Sequence, residues 1–432
     1  MNDTSAFIAL LPRLGRGLLL AVLGLTLSAC ERAPEAPTAD TPQPATLNAP
    51  RLLAATNIYA YTQLSEALNQ AQILDGLITS LLHHPNPLSL EEAQNTWLKA
   101  YRAYLQVSFF QPMPHLEKPQ YHAEADTYAI IHQQLDSWPI EAGYIDYLPH
   151  YPLSGIINDM TLKITEQNIL QQHGFSDERF ASVGFHPMEF LLFGVAGKRS
   201  AKDFVPQENS IETVGADMHL HEQEHDQEHG QEQTALTEQE AELGPQNHQR
   251  RREFLRILSA LMVKNLQKLA DRWEPAHGYY AKQWRQAQQL EVLQRVYQVS
   301  MDTLQVQLLA RHILPLLHHP QVDDRRSPFA NQDGDNMLAV LQGIENLFYL
   351  EDGFMQELKR HHADSADKIT AQFKRLMRDL KKLPVAVAQQ PLPARQKIIA
   401  PIQQELIKLI ENLYLGAPLL GLQLEALPVS SN

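Results

Sequence analysis

Apolar residues recur along this chain mostly at intervals of three and four, and no comparable run recurs at intervals of two. Tyr61, Leu64, Leu68, Ala71, Leu74, Ile78 and Leu81 form one such series, and Phe254, Leu258, Leu261, Leu266, Leu269 and Trp273 another. Side chains spaced in this way fall on one side of an α-helix, whereas a strand would change face at every residue. The expected fold class is therefore all-α, with long antiparallel helices whose apolar stripes meet in two helical-bundle domains. Further helical segments are expected near 89–110, 122–137, 154–172, 178–194, 281–317, 335–350, 353–381 and 394–414. His84-Pro85-Asn86-Pro87, Gln111-Pro112-Met113-Pro114, Tyr147-Leu148-Pro149, and Pro384 with Pro391 and Pro393 separate them, because proline cannot donate the amide hydrogen that a helix interior needs.

Ahead of the first stripe, Arg13 and Arg16 precede the apolar run from Gly17 to Leu25, and Leu27-Ser28-Ala29-Cys30 follows at once. This is the order of a secretory signal closed by a lipobox, so residues 1–29 read as a lipoprotein signal peptide and Cys30 as the lipidated end of the mature chain. As the only cysteine, Cys30 has no disulfide partner within the chain. Pro34, Pro37, Pro42, Pro44 and Pro50 make residues 30–50 an extended tether. The expected globular part then divides into an N-terminal bundle (51–200), a polar insertion (201–245) and a C-terminal bundle (246–426). A bacterial cell-envelope location follows, periplasm-facing or on the surface, with the membrane met through the lipid. The net charge of −14 argues against nucleic acid as a partner and suits a protein that handles cations.

One short stretch, SVGFHPMEFLLFGVAG from Ser182 to Gly197, looks like a site. His186 and Glu189 stand three apart, so on a helix they share a face and offer an imidazole and a carboxylate to one metal ion or one proton. The apolar run Phe190 to Phe193 says that this face is buried. Pro187 leaves a second reading open: a residue before proline is pushed out of helical geometry, which makes His186 a cap and Glu189 a carboxylate reaching back to a backbone amide. Spacing alone decides nothing, because His219/Glu222, His221/Glu224, His225/Glu228 and His229/Glu232 repeat it within one polar stretch.

That stretch, MHLHEQEHDQEHGQEQ from Met218 to Gln233, places His221, His225 and His229 four apart, so a helix would line them along one side. It reads either as a low-affinity metal collector or as a solvated variable loop. The formal H-E-x-x-H at His221 to His225 lacks the apolar surroundings that a zinc protease helix requires. Trp138 and Trp273 read as core or loop anchors, and the doublets His83-His84 and His318-His319 as favourable residues at helix C-termini.

The run from Gly184 to Gly194 resembles the G-x-H-x-x-E signature of the imelysin-like proteins, the peptidase M75 family. Other marks follow in the family's order. Trp97, Tyr101 and Tyr104 resemble its early helix; Leu135-Asp136-Ser137-Trp138-Pro139 with Ile145-Asp146 resembles its W-P…I-D loop; Arg251 to Trp273 resembles the helix after the motif. Arg326-Ser327-Pro328-Phe329, Asp335 and Gly343-Ile344-Glu345-Asn346-Leu347-Phe348-Tyr349 resemble a second block, whose Gly-Ile-Glu faintly echoes the first motif. The resemblance implies two helical bundles with a site near their junction, in an envelope protein associated with iron uptake. It implies His186 and Glu189 as ligands of a divalent or trivalent metal, iron favoured and zinc possible. Arg326 and Asp335 become neighbours of that site if the halves pack face to face, and a surface ion pair if they do not. Val107-Ser108 stands where the family's early helix is expected to carry threonine-glutamate, which removes one acidic ligand. Three functions are carried forward: metal capture, an M75-type metallopeptidase in which Glu189 polarises water, and a scaffold for envelope protein partners. A zinc hydrolase needs three ligands and a base, and the motif supplies two candidates.

Overall fold

The first two helices start on side-chain caps and stop where the pattern breaks. Helix α1, Ala49–His83, begins at Asn48, whose side chain accepts the Arg51 amide, and it ends at His84, ahead of Pro85. Helix α2, Pro87–Leu105, opens with a capping box: Asn86 Oδ1 accepts the amides of Leu88 and Ser89, and Ser89 Oγ accepts the Asn86 amide. Such a cap contributes about 1 kcal/mol. The computed structural model describes residues 47–110, 122–206, 247–318 and 325–425. The expected leader, residues 30–46 of the tether with Cys30, His319 and the row His221, His225 and His229 lie outside the described residues, while Ala49 and Pro50 at the end of the expected tether already belong to α1.

Beyond α2 come α3 His122–Asp136, α4 Glu166–Gln172, α5 Phe185–Phe193, α6 His248–Trp273, α7 Tyr279–Gln286 and α8 Gln289–Asp302. A π-helical run, Thr303–Ile313, leads into α9 Leu314–His318, and α10 Asp333–Phe348, α11 Phe354–His361, α12 Ala363–Leu380 and α13 Leu392–Gly416 complete the chain. Among the described residues there is no strand, only an isolated bridge between Leu148 and Tyr151. None of the described helices is long and apolar enough to cross a membrane. The stripe of α1, Leu64 to Leu81, is buried against α2 and α6, α10 lies on α2, and α12 and α13 pair with each other. Helices from before and after residues 207–246 therefore share one continuous core.

Three expected helices come out differently. Of 154–172 only Glu166–Gln172 is helical. The residues before α4 turn instead, and Arg250 on α6 donates to the carbonyls of Ile156, Ile157, Asp159 and Leu162 at 2.6–3.1 Å, replacing the bonds a helix would have made. Of 178–194 only Phe185–Phe193 is helical, because Gly184 stands at φ +107 and its backbone presses on the end of α3; a Cβ there would lie 2.6 Å from the carbonyl oxygens of Gln134 and Leu135. The long segment 281–317 breaks at Ala287 and then widens into the π-helix. Pro315 supplies a reason: it cannot donate to Arg311, and its ring crowds that carbonyl, so the turns before it open out. Gly343, the glycine of the second block, lies inside α10, where a Cβ would meet the Gln106 carbonyl oxygen at 2.0 Å. The two echoing glycines thus share a backbone contact, but only the first sets the start of a helix.

Candidate functional site

Gly184 lets α5 start against the end of α3, which brings Asp136, the last residue of α3, beside His186 in the first turn of α5. Side chains of α2 hold the short helix in place: Trp97 Nε1 donates to the Phe185 carbonyl at 3.1 Å and Gln94 Nε2 to the Leu192 carbonyl at 2.8 Å. Tyr101, one turn on from Trp97, then reaches the same point from α2.

The result is a cluster with no solvent contact to speak of. His186 Nε2 lies 3.1 Å from Asp136 Oδ1 and 3.3 Å from the Tyr101 hydroxyl, which itself donates to Asp136 Oδ1 at 3.2 Å. The side chains of His186 and Glu189 are 0 % exposed and that of Asp136 1 %. On the other side of the imidazole, Nδ1 lies 3.4 Å from Glu189 Oε2. Glu189 Oε1 accepts three bonds from the segment before α10: Ser327 Oγ at 2.7 Å and the amides of Phe329 and Ala330 at 3.2 and 2.9 Å. Arg326 from that segment pairs with Asp136 Oδ2, donates to the Tyr101 hydroxyl at 3.1 Å and donates to Gln307 of the π-helix at 3.0 Å. Trp138 lies against the imidazole with ring centroids 4.7 Å apart.

Charge follows geometry. Burial alone would push the Asp136 carboxyl up, but Arg326, His186 and Tyr101 hold it below the usual carboxylate value. Burial alone would push His186 down, and its bonds to Asp136 and Glu189 raise it instead, so the ring carries a proton between two carboxylates. Tyr101 is pushed well up by burial, against the pull of Arg326, and keeps its proton. Asp136 and Arg326 thus form a buried ion pair, with the His186 ring set between Asp136 and Glu189.

His186, Glu189 and Arg326 are thus brought together, and the capping alternative for Glu189 is replaced by a link across to residues 327–330. Asp335 is elsewhere: it pairs with Arg102 at 2.6 Å, with its side chain 47 % exposed. Glu189 meets the imidazole at Nδ1, on the opposite side of the ring from Asp136 and Tyr101, which face Nε2. Sequence reasoning quoted Asp136 and Tyr101 only as family marks and missed Gln307. The available signal was Asp136, an acidic side chain closing a helix just ahead of Trp138-Pro139. Among the described residues no three of His, Cys, Asp and Glu are placed to hold a metal ion. With the Tyr101 oxygen counted, however, Asp136 Oδ1, His186 Nε2 and Tyr101 form a nearly equilateral face.

A second buried ion cluster lies at the other end of α5. Arg251 of α6 clasps Asp146 with two bonds of 2.7 and 2.8 Å, and Arg199 bridges Asp146 and Asp203 at 3.3 and 3.0 Å. Tyr147 donates to Asp203 at 2.8 Å. Burial would raise the Asp146 carboxyl, and Arg251 and Arg199 hold it down.

Residues 60–415 match the family described as Imelysin, peptidase M75. Among solved structures, an imelysin-like protein from Psychrobacter arcticum 273-4 superposes with a TM-score of 0.58 at 12 % identity, over 88 % of this chain and 99 % of that one. A protein described as an iron-regulated protein A precursor, from Parabacteroides distasonis ATCC 8503, superposes with a TM-score of 0.54 at 12 % identity, over 85 % and 96 %. At such identity the likeness is one of fold. Comparison with curated proteins gives no match.

Proposed function

The chain belongs to the imelysin (peptidase M75) family, and from that premise we propose that it is a lipid-anchored envelope protein that captures a metal ion, iron foremost, on the face made by Tyr101, Asp136 and His186. One observation carries this reading: three ligand-type atoms lie 3.1, 3.2 and 3.3 Å from one another. Ligands about 2.0–2.2 Å from one ion are separated by about 2.8–3.6 Å, from octahedral to tetrahedral geometry. A carboxylate, a phenol and an imidazole together suit iron, and the imidazole also admits zinc. The described name of the Parabacteroides relative, an iron-regulated protein, points the same way.

Each residue has a distinct task in this reading. His186 gives up its Nε2 proton and keeps the Nδ1 proton on Glu189, so the lone pair faces Asp136 and Tyr101. Glu189 acts from the outer shell, fixing the tautomer and ring plane as carboxylates behind ligating histidines do. Ser327 and the amides of Phe329 and Ala330 hold that carboxylate in place. Arg326 stays on Asp136 Oδ2 and favours the phenolate form of Tyr101. Loss of one proton each from His186 and Tyr101 would offset the two positive charges of a divalent ion. The peptidase alternative finds no base here: Glu189 Oε1 is saturated by three donors and Oε2 is turned to the imidazole. Capture and hand-on in the envelope rest on the expected lipid at Cys30.

Titration calorimetry of the purified protein with iron and zinc tests the reading. One equivalent binds to the parent, none to His186→Ala, and affinity falls at least about tenfold in Tyr101→Phe; deletion of 217–233 leaves this site intact. A parent that binds no metal, or binding lost on the deletion and retained in His186→Ala, overturns it.

A further inference from the structure

The ion cluster around Asp146 leaves one donor over. Arg199 meets both of its carboxylates, Asp146 and Asp203, through Nη1, and its Nη2 donates to the Phe190 carbonyl at 3.3 Å. Its Nε is buried and has no hydrogen-bond partner among the described residues. Aromatic rings hold the guanidinium as well, for its Cζ lies 5.1 Å from the centre of the Tyr147 ring and 5.4 Å from that of Phe190. A buried donor left over on a cation is rare in a folded protein and calls for a reason.

The reason lies in a pocket of about 190 Å³ that Arg199 lines together with Tyr147, Phe190, Val195, Ala196 and Lys198. It forms because the chain turns back sharply after α5. Gly194 takes φ +68 and Ala196 φ +54, and the Arg199 amide donates to the Phe193 carbonyl at 2.8 Å, which closes the turn. Left-handed backbone is costly for a residue with a Cβ, so Ala196 marks a loop whose shape its surroundings impose. Most of the wall is apolar or aromatic, and Lys198, which is exposed, brings a second cation to it.

Size and chemistry together select an occupant. A cavity of about 150 Å³ takes up benzene, so this pocket has room for one ring, or a short branched chain, with a carboxylate attached. The carboxylate offers Nε the acceptor it lacks and meets Lys198 in a charge-assisted bond, while the apolar body covers Tyr147 and Phe190. A cation finds no such welcome, because Asp146 and Asp203 are already taken up by Arg199 and Arg251.

We infer that this pocket binds a small monocarboxylate with an apolar or aromatic body, held by Arg199 Nε and Lys198. The site is independent of the metal-capture reading, since none of these six residues belongs to the cluster of Asp136 and His186. Phe190 nonetheless joins the two regions: its ring centre lies 4.9 Å from that of Phe329, whose amide holds Glu189.

Benzoate is the probe, with benzamide as its uncharged counterpart, added to the full chain labelled at its valine and alanine methyl groups. Methyl resonances of Val195 and Ala196 are expected to shift saturably with benzoate, and benzamide to bind at least about tenfold more weakly. Lys198→Glu, an exposed change that leaves the ion cluster alone, should weaken benzoate by a similar factor and leave benzamide as it was. Arg199→Lys keeps the charge, removes the Nε donor and should abolish the benzoate shifts; if that variant does not fold, the Lys198 comparison carries the test. Absence of saturable shifts at Val195 and Ala196 overturns the site. Benzamide bound as tightly as benzoate, or benzoate affinity unchanged in Lys198→Glu, overturns recognition of the carboxylate.

Discussion

The two ion clusters at either end of α5 are equally buried and differ in what they contain. Around Asp146 the cations are guanidiniums, which keep their protons at any ordinary pH, and Arg251 meets the carboxylate with two parallel bonds. Around Asp136 one of the cations is an imidazolium and one of the donors a phenol, both of which can lose a proton. The first arrangement can only hold; the second can exchange protons for another positive charge. Burial and charge density therefore do not separate a clasp from a site, whereas the titratable chemistry of the donors does.

The largest test of this contrast is Arg251→Ala. It leaves Asp146 with the longer contact to Arg199 and a 3.5 Å bond from Asn158, and chemical denaturation is expected to show a loss of about 3–5 kcal/mol; the metal stoichiometry of protein that remains folded is expected to stay unchanged. A loss of metal with full stability would merge the two clusters into one functional unit. Next comes Gly184→Ala, which forces a Cβ onto two carbonyls at positive φ. A destabilisation of about 2–4 kcal/mol is expected, together with weaker metal binding because Asp136 and His186 move apart.

Acid should separate the clusters further. Burial lowers His132 from its ordinary value to about 3. Its neutral form is favoured in the fold, so the stability it contributes is present above the unfolded value near 6.5 and is lost as pH falls from there toward 3. The expected slope is about 1.4 kcal/mol per pH unit over that window, and His132→Leu should flatten it. An unchanged slope in that variant would assign the acid sensitivity to other groups. The smallest effect belongs to Asp335→Ala, which removes a half-exposed pair with Arg102. A change of about 0–1 kcal/mol and no change in metal binding are expected; a clear loss of binding would bring Asp335 back into the site.

Much of this was legible in the chain. The three-to-four spacing marked α1, α2, α6, α10 and α13 because each buries one stripe against long neighbours. It failed at 154–165, where Ile156 and Ile157 are buried but the carbonyls belong to Arg250, a partner about ninety positions away that periodicity cannot register. It also overextended the helix at 185–193, since nothing local shows that Gly184 abuts the end of α3. His186, Glu189 and Arg326 were legible through motif and resemblance. The roles of Asp136 and Tyr101 had to be supplied by the fold, for they come from two other helices. Asp335 shows the converse: a charged residue in the right block, turned outward by its place on α10.

The seclusion of Asp136 and His186 also has a kinetic meaning. Under the proposed capture, a face with side chains 0–1 % exposed would exchange an ion only when residues 325–330 part from α5, so capture and release would run at the frequency of that local opening and not at the rate of diffusion. Long residence with rare unloading would be the behaviour of a reservoir or a courier that discharges on contact, in contrast to a buffer that equilibrates with its surroundings in milliseconds.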